Sequence, residues 1–272
     1  MDFINCLKNM SNTETTAIMQ RVRHEFRARH VQLLAREQIS PGFIRLTVGG
    51  LELAGFVSAG FDDHTKLILP QVGLDKPNLP QMVDGRPHIE GERPTMRDYT
   101  PLNYDAINHT LQLEFAEHGT GPAVEWARTA AIGQWLGLAG PRGSLVVPAE
   151  LDWHVLLGDE SALPAMERRL AELPAGSRAI VRAQVSNPAD QREWSSAAAL
   201  DLQWVDSLAD AVDALELPEG EGFVWAAGEN RAMADLRKRI LAKPGAHPKR
   251  MRIASYWKQG EAGHHEELSA ND

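Results

Sequence analysis

The sequence contains one cysteine, Cys6, among 272 residues. A single thiol cannot close an intramolecular disulfide, and it cannot supply the cysteine ligands of a zinc site or an iron–sulfur cluster. Any electrons that this chain transfers therefore need a carrier other than a cysteine-bound cluster.

Long apolar runs and an excess of basic residues are also lacking. No segment approaches the roughly 20 apolar residues that span a bilayer, and the first twenty residues carry Asp2, Lys8 and Glu14 where a secretory signal would be apolar. The net charge of −9 leaves too few cations for a broad nucleic-acid surface. We expect a cytoplasmic, monomeric protein that neither binds nucleic acid nor inserts into a membrane.

The first half of the chain has the pattern of short strands. Ile44, Leu46 and Val48 share one face of a predicted strand, and residues 111–115 alternate in the same way. Several short strands separated by Gly and Pro turns indicate a small antiparallel barrel. Residues 70–94 are rich in Pro and Gly and show no period, so we interpret them as a long loop that is either functional or mobile.

After Pro148 strands and helices alternate, which indicates a parallel sheet covered by helices. The predicted strands are 153–157, 178–185, 202–205, 222–227 and 251–257, and the predicted helices are 161–173, 207–215 and 231–241. The sequence thus predicts two domains of α+β and α/β class. An antiparallel β-barrel covers residues 21–149, a parallel α/β domain covers residues 150–260, and residues 1–20 and 261–272 are flexible termini.

The segment Arg97-Asp98-Tyr99-Thr100 combines a cation, an aromatic ring and a hydroxyl group. On a strand, Arg97 and Tyr99 point to one face and Thr100 to the other. A flavin needs a flat apolar surface for its rings and a cation with hydroxyl donors for its phosphate. The alternative is a plain strand with a surface arginine and a core tyrosine, because four-residue matches arise by chance.

Two glycine-containing segments follow along the chain. In His118-Gly119-Thr120-Gly121-Pro122-Ala123 a strand ends in a turn that opens a helix, and the N–H groups of a helix start bind phosphate. In Gly140-Pro141-Arg142-Gly143-Ser144 the glycines allow close approach to a ligand. An ordinary capped helix and a plain turn are the respective alternatives.

The second half lacks the G-x-G-x-x-G motif of dinucleotide-binding folds. Its first strand ends in Gly158-Asp159-Glu160-Ser161-Ala162 and a later one in Ala227-Gly228-Glu229, at the edge where open α/β sheets bind ligands. After the second strand, Arg192 favours the 2′-phosphate of NADPH, whereas Asp190 favours the ribose hydroxyl of NADH.

Over residues 21–260 the chain resembles the siderophore-interacting protein family, a branch of the ferredoxin-reductase-like flavoproteins. The order and spacing of several short strings together carry the resemblance. These strings are Asp63-His64-Thr65-Lys66-Leu67, Arg97-Asp98-Tyr99-Thr100, the segment 118–123 with Trp126, Gly140-Pro141-Arg142-Gly143-Ser144, the segment 158–165, Trp225-Ala226-Ala227-Gly228-Glu229 and Tyr256-Trp257-Lys258-Gln259-Gly260.

The resemblance implies an NAD(P)H-dependent oxidoreductase whose barrel binds FAD and whose α/β domain binds NADPH or NADH. Electrons would pass as hydride to the flavin and then singly to Fe(III) in a siderophore, and the weakly held Fe(II) would be released for iron assimilation. The flavin carries the chemistry, so no residue is a catalytic group or a metal ligand. The residues implied at the cofactors are Arg97, Asp98, Tyr99, Thr100, His118, Gly121, Pro122, Ala123, Gly143, Ser144, Asp159, Glu160, Ala162 and Trp257. Lys66, Arg142 and Lys258 would bind the anionic ferric siderophore.

One position departs from the family pattern, which often has a second Arg where this chain has Leu102. This departure predicts that one flavin contact is lost or replaced. Two other functions fit the same sequence, because a fold does not fix a function. One is a general NAD(P)H-dependent flavin or ferredoxin reductase, and the other is a non-catalytic carrier of ferric siderophores.

Overall fold

The computed structural model describes residues 19–117 and 121–261, together with the backbone of residues 266–267. The predicted cofactor residue His118 and most of both predicted flexible termini lie outside this part. The domain boundaries at 21–149 and 150–260 stay predictions. The large sheet of the first half is antiparallel, whereas the sheet of the second half is mainly parallel.

The first half of the chain builds an antiparallel, barrel-like sheet of seven strands in the order β7-β4-β10-β2-β3-β9-β8. Its strands are β2 (Ala28–Ser40), β3 (Phe43–Gly49), β4 (Thr65–Ile68), β7 (Met96–Tyr99), β8 (Leu102–Asp105), β9 (Thr110–Ala116) and β10 (Trp135–Ala139). Two smaller pairs flank it, β1 (Gln20–Arg23) with β11 (Gly143–Val146), and β5 (Gln81–Val83) with β6 (Arg86–His88). One helix, α1 (Pro122–Thr129), follows β9.

Alternating apolar residues produce this barrel. Leu46 and Val48 of β3 and Leu111 and Leu113 of β9 are all fully buried, because the two strands pair with these residues on the inner face. Burial of each such side chain contributes about 1.5–3 kcal/mol. The predicted antiparallel barrel is confirmed.

The second half forms a six-stranded sheet in the order β14-β13-β12-β15-β16-β17. Its strands are β12 (Trp153–Gly158), β13 (Arg178–Ala183), β14 (Ala199–Trp204), β15 (Gly222–Glu229), β16 (Met251–Trp257) and the antiparallel β17 (Glu266–Glu267). Its helices are α2 (Leu163–Glu172), α3 (Leu208–Ala214) and α4 (Asn230–Leu241). The first five strands are parallel, as predicted.

Helices cover both faces of this sheet, and the barrel packs against one of them. Leu163 and Met166 of α2 share a core cluster with Leu156 of β12, and the barrel residues Phe43 and Phe61 belong to the same cluster. Helices α3 and α4 pack on the opposite face. The barrel and the α2 face of the sheet therefore share one hydrophobic core.

The structure corrects the sequence predictions at two places. The stretch 70–94, predicted as a structureless loop, contains the β5–β6 hairpin. The helix predicted from residue 161 begins as a 3₁₀ turn at Glu160–Ala162, and α2 starts only at Leu163, where Pro164 occupies its first turn. Proline suits that turn because it has no N–H to donate and its φ is already helical.

Across residues 19–117 and 121–261, no helix has both the length and the apolar composition needed to cross a membrane. Within the same ranges, no group of three or more His, Cys, Asp or Glu side chains is arranged to hold a metal ion.

Candidate functional site

A cleft lies between the barrel and the α/β domain, and we call it the interdomain cleft. Its volume of about 230 Å³ is smaller than the roughly 300–1,000 Å³ of typical ligand pockets, so a dinucleotide would fill it with one end and extend outside it. The lining residues are Phe43, His64, Arg97, Asp98, Tyr99, Thr100, Glu114, Ala116, Gly121, Ala123, Val124, Glu160, Ser161, Pro164 and Tyr256. Seven of the predicted cofactor residues, from three separate segments, therefore meet in one place.

Strand β7 forms the aromatic and cationic wall of the cleft. The ring of Tyr99 lies against Phe115, with centroids 4.1 Å apart, and burial raises the pKa of the tyrosine hydroxyl. Arg97 donates a hydrogen bond to the carbonyl of Met96 at 2.8 Å and forms no ion pair with any residue that the structure describes. Its positive charge is thus available to an anion in the cleft.

The start of α1 forms a second element of the same wall. Gly121 is the N-cap and has no side chain with which to cap the helix, and Pro122 follows it in the first turn. The first N–H groups of a helix have no intrahelical acceptor, and the helix dipole makes them favourable partners for phosphate. A Cβ at Gly121 would meet nothing within 4 Å among the residues that the structure describes.

This donor set fits FAD. A diphosphate needs a cation and N–H donors, which Arg97 and the α1 start supply, and a flavin ring needs a flat apolar surface, which the Tyr99 ring offers. Thr100 adds a buried hydroxyl at the end of β7.

Asp159 joins the carboxyl ends of three parallel strands. Its carboxylate accepts hydrogen bonds from Ser161 N–H at 2.9 Å, from Glu229 N–H at 2.9 Å and from the indole of Trp257 at 2.8 Å. Burial raises the pKa of Asp159 although the hydrogen bonds oppose this shift. Asp159 is therefore committed to holding the sheet edge together.

The other predicted residues at this edge differ in their exposure to the cleft. Glu160 lines the cleft and accepts a hydrogen bond from the N–H of Ser186. Ala162 is fully buried behind it, beside Gly158. Trp257 stands at the end of β16 with 42% of its surface exposed.

Gly143 and Ser144 lie away from the interdomain cleft. The Ser144 hydroxyl donates to Asp63 at 2.6 Å and accepts from the N–H of Ala59 at 3.0 Å, and a Cβ at Gly143 would come within 2.6 Å of the carbonyl oxygen of Val22. These two residues begin β11 and do not line the interdomain cleft, and their predicted role in closing over the diphosphate stays a prediction.

A second cavity, of about 410 Å³, opens beside the first, and we call it the cationic cavity. It is lined by Phe26, His64, Lys66, Pro80, Pro87, His88, Ile89, Gly91, Arg93, Met96, Ala139, Gly140, Arg142 and Gly143. His64 lines both spaces, so the two adjoin.

Two of the three predicted substrate cations meet in this cavity. Lys66 and Arg142 line it, and Lys66 also pairs with Asp98 at 2.8 Å. Lys258 lies elsewhere, where it forms an ion pair with Glu261.

Arg192 and Asp190 bind residues of the barrel. The Arg192 guanidinium binds Glu114 at 2.7 Å and Glu167 at 3.0 Å, and Asp190 accepts hydrogen bonds from Ser40 and from Gly42 N–H, both at 2.7 Å. The loop that carries these two residues is docked on the barrel and neither residue lines the interdomain cleft, and the expectation that they distinguish NADPH from NADH stays a prediction.

The docking cluster of Arg45, Glu114, Glu167 and Arg192 was missed by sequence reasoning. Glu114 is wholly buried and lines the cleft, and Arg45 donates two hydrogen bonds to it. Burial alone would lower the pKa of Arg45, but the bond and the attraction to Glu114 outweigh burial and raise it. The alternating pattern of β9 places Glu114 between core residues, so the sequence could have shown that this acid is unusual. It could not have shown which residues bind Glu114.

Leu102 also lies outside the interdomain cleft. It is buried and lines a space between the barrel and α2, beside Arg168. Arg168 donates hydrogen bonds to the Pro101 carbonyl at 3.2 Å and to the Ser58 hydroxyl at 2.8 Å. The predicted loss or replacement of a flavin contact at position 102 stays a prediction.

Comparisons with known proteins agree with this geometry. Two family models match the chain, the siderophore-interacting FAD-binding domain over residues 32–145 and the siderophore-interacting protein over residues 151–260. The NADPH-dependent ferric-chelate reductase of Escherichia coli is 40% identical over 250 residues, which are 88% of this chain and 96% of that protein. The crystal structure of a siderophore utilization protein from T. fusca is 31% identical with a TM-score of 0.82, and the match covers 90% of this chain and 98% of that one.

A more distant match concerns the fold alone. The ferredoxin reductase in carbazole 1,9a-dioxygenase is 16% identical with a TM-score of 0.58, covering 86% of this chain and 70% of that one. The predicted ferredoxin-reductase-like architecture is confirmed.

Proposed function

The chain belongs to the siderophore-interacting protein family, and from this premise we propose that it reduces ferric siderophores with electrons from NADPH, through FAD, and so releases iron as Fe(II). The observation that carries the proposal is the pair of adjoining spaces, one fitted to a flavin and the other lined by cations, with His64 on the wall of both. The Escherichia coli relative, 40% identical, is named for this activity.

FAD would be held by β7 and by the start of α1. The charge of Arg97 and the N–H groups of the first turn would offset the charge of the diphosphate, and Tyr99 would present its ring to the flavin. Bound FAD would supply the one chemical ability that no side chain has, which is to take two electrons as hydride and to release them singly.

NADPH would bind at the carboxyl edge of the parallel sheet. The strand order reverses between β12 and β15, and such switch points are where open α/β sheets bind nucleotides. Glu160 and Ser161, directly after β12, line the interdomain cleft, so a nicotinamide at this edge would lie next to the flavin site. Asp159 would keep this edge in shape through its bonds to the ends of β15 and β16.

The ferric siderophore would bind in the cationic cavity as substrate, with its iron still in the chelate. Arg142 and Lys66 offer positive charge to an anionic complex. Oxygen chelators hold Fe(II) much more weakly than Fe(III), so reduction itself frees the metal. We place the reaction in the cytoplasm, where NADPH is regenerated.

An anaerobic visible spectrum tests the proposal. We expect the FAD-loaded protein to show oxidised-flavin bands that bleach with NADPH and return when a ferric catecholate is added. The gallium(III) catecholate, which has the same charge and cannot be reduced to a divalent ion, should leave the bleached spectrum unchanged.

The other outcomes separate the rival functions. A protein that cannot be loaded with FAD would exclude a flavoenzyme and leave the siderophore carrier. Flavin that bleaches with NADPH but does not respond to the ferric complex would instead indicate a general flavin or ferredoxin reductase.

A further inference from the structure

The outer wall of the cationic cavity comes from the segment that the sequence predicted as a loop. Pro87, His88 and Ile89, at the end of β6, line the cavity, and so does Arg93, a few residues before β7. The turn after β10, which carries Arg142, lines the same cavity, and so does Lys66 of β4. The cavity thus has cations from three separate parts of the chain.

Arg93 is held in position by its neighbours in sequence. The Gln71 side chain donates a hydrogen bond to the Glu92 carbonyl at 2.8 Å, and Pro94 on the other side is buried. The N–H of Leu69 donates to the Thr95 carbonyl at 3.0 Å, which ties the same stretch to the end of β4. These contacts hold the backbone on both sides of Arg93. Its side chain is exposed and lines the cavity, so its charge faces both solvent and the cavity.

The cations that line this cavity differ in whether a carboxylate pairs with them. Lys66 is engaged by Asp98, whose two oxygens lie 2.8 and 2.9 Å from its amine. Arg93 and Arg142 form no ion pair with a residue in the described ranges, and no Asp or Glu lines the cavity. The two arginines therefore present charge that no carboxylate of the wall neutralises.

We infer that Arg93 is a specificity-determining residue that selects anionic over uncharged ferric chelates. The inference rests on the proposed function and adds to it a further residue, on the segment before β7, that distinguishes ferric chelates by their charge. A guanidinium at the mouth attracts a highly charged anion strongly and an uncharged complex hardly at all, so the discrimination appears as a difference in KM between the two.

The test compares Arg93→Gln with Arg86→Gln as a matched control. Arg86 lies on β6, a few residues before Arg93, is exposed, and does not line the cavity, so its replacement removes the same charge from a nearby position outside the cavity. The two acceptors are ferric tris-catecholate, which carries three negative charges, and ferric tris-acetohydroxamate, which carries none. The rate of reduction of each acceptor is measured with the FAD-loaded protein at saturating NADPH.

We expect Arg93→Gln to raise KM for the tris-catecholate roughly five- to tenfold with kcat unchanged, and to alter KM for the uncharged complex less than twofold. Arg86→Gln should alter neither value more than twofold, and Arg93→Lys should recover most of the affinity. Equal effects on both acceptors, equal effects of the two Gln variants, or no effect of Arg93→Gln would each overturn the inference.

A binding measurement separates this inference from the proposed function. Gallium tris-catecholate has the charge and shape of the ferric complex, and its binding is followed by quenching of tryptophan fluorescence. Arg93→Gln should weaken this binding by the same five- to tenfold factor, and unchanged binding would overturn the inference. Because this readout needs no electron transfer, it decides the role of Arg93 even if the protein reduces no ferric complex.

Discussion

Arg97 and Gly121 of the interdomain cleft leave a positive charge and helix N–H groups available to an anion. Arg97 has a hydrogen bond to a carbonyl but no carboxylate partner among the described residues, and Gly121 leaves the start of α1 without a side-chain cap. Each feature would be a small defect in a fold without a ligand, since helix starts are usually capped. We expect the two together to form one binding position for phosphate.

At this scale we predict that Arg97→Gln weakens FAD binding. Hydrogen bonds to charged groups contribute about 1.5–3 kcal/mol, so the dissociation constant for FAD should rise at least roughly tenfold. Titration of the apoprotein with FAD, followed by flavin fluorescence, measures the change. Arg86→Gln on the exposed hairpin is the control and should bind FAD like the unaltered protein. Equal affinity in the two variants would contradict the role given to Arg97.

At the scale of elements, alternation decided what could be predicted. Strands β3 and β9 were predicted because their apolar residues recur at every second position over seven residues. The hairpin strands β5 and β6 have three residues each, all exposed, and so leave no apolar pattern to read. The start of α2 was misplaced because a 3₁₀ turn and an α-helix share the same first residues.

The strand β12 carries a titratable group whose effect on stability depends on pH. His154 is fully buried in this strand, and burial, with the charge of Arg169 adding to it, lowers its pKa to about 4. In the unfolded chain a histidine has a pKa near 6.5, so on acidification the unfolded state takes up the proton first. The stability due to neutral His154 is complete above about pH 6.5 and is lost as the pH falls toward 4.

We therefore predict that His154→Gln reduces the acid sensitivity of folding. Between pH 7.5 and pH 5 the unaltered protein should lose about 2 kcal/mol more unfolding free energy than the variant. Urea unfolding at the two pH values, followed by tryptophan fluorescence, provides both numbers. An equal loss in both proteins would show that His154 does not titrate in this way.

At the scale of the whole molecule, contacts between the domains were beyond the reach of the sequence. Arg192 meets Glu114 across 78 positions of the chain, and Asp190 meets Ser40 across 150. The sequence around Arg192 and Asp190 does not distinguish them from residues that bind a nucleotide, which is the role predicted for them. Arg97, Tyr99 and Gly121, which the resemblance assigns to the flavin, line one cleft, and their contact with FAD stays a prediction. An ordered set of family motifs points to a shared site even when each motif alone does not.

We predict that Glu114→Gln uncouples the domains. The change keeps the size of the side chain but leaves Arg45 and Arg192 beside a neutral partner in a buried place. Breaking a buried ion pair in this way costs about 3–5 kcal/mol, and urea unfolding should reveal it as a lower midpoint or as two separate transitions. Glu221→Gln is the control, since Glu221 is 67% exposed in its pair with Arg250 and should change stability by about 0.5 kcal/mol or less. A single transition at the original midpoint would contradict the role of the docking cluster in holding the two domains together.

The cationic cavity lies on a molecule whose net charge is −9. At physiological ionic strength the Debye length is about 8 Å, so beyond that distance an approaching anion meets mainly weak repulsion and only at the mouth of the cavity does it meet attraction. We therefore expect the negative net charge to weaken the adsorption of highly charged anions on the rest of the molecule and to leave the cationic cavity as a favoured point of arrival. Acidic residues that have no part in the chemistry would thus help to direct an anionic substrate to its site.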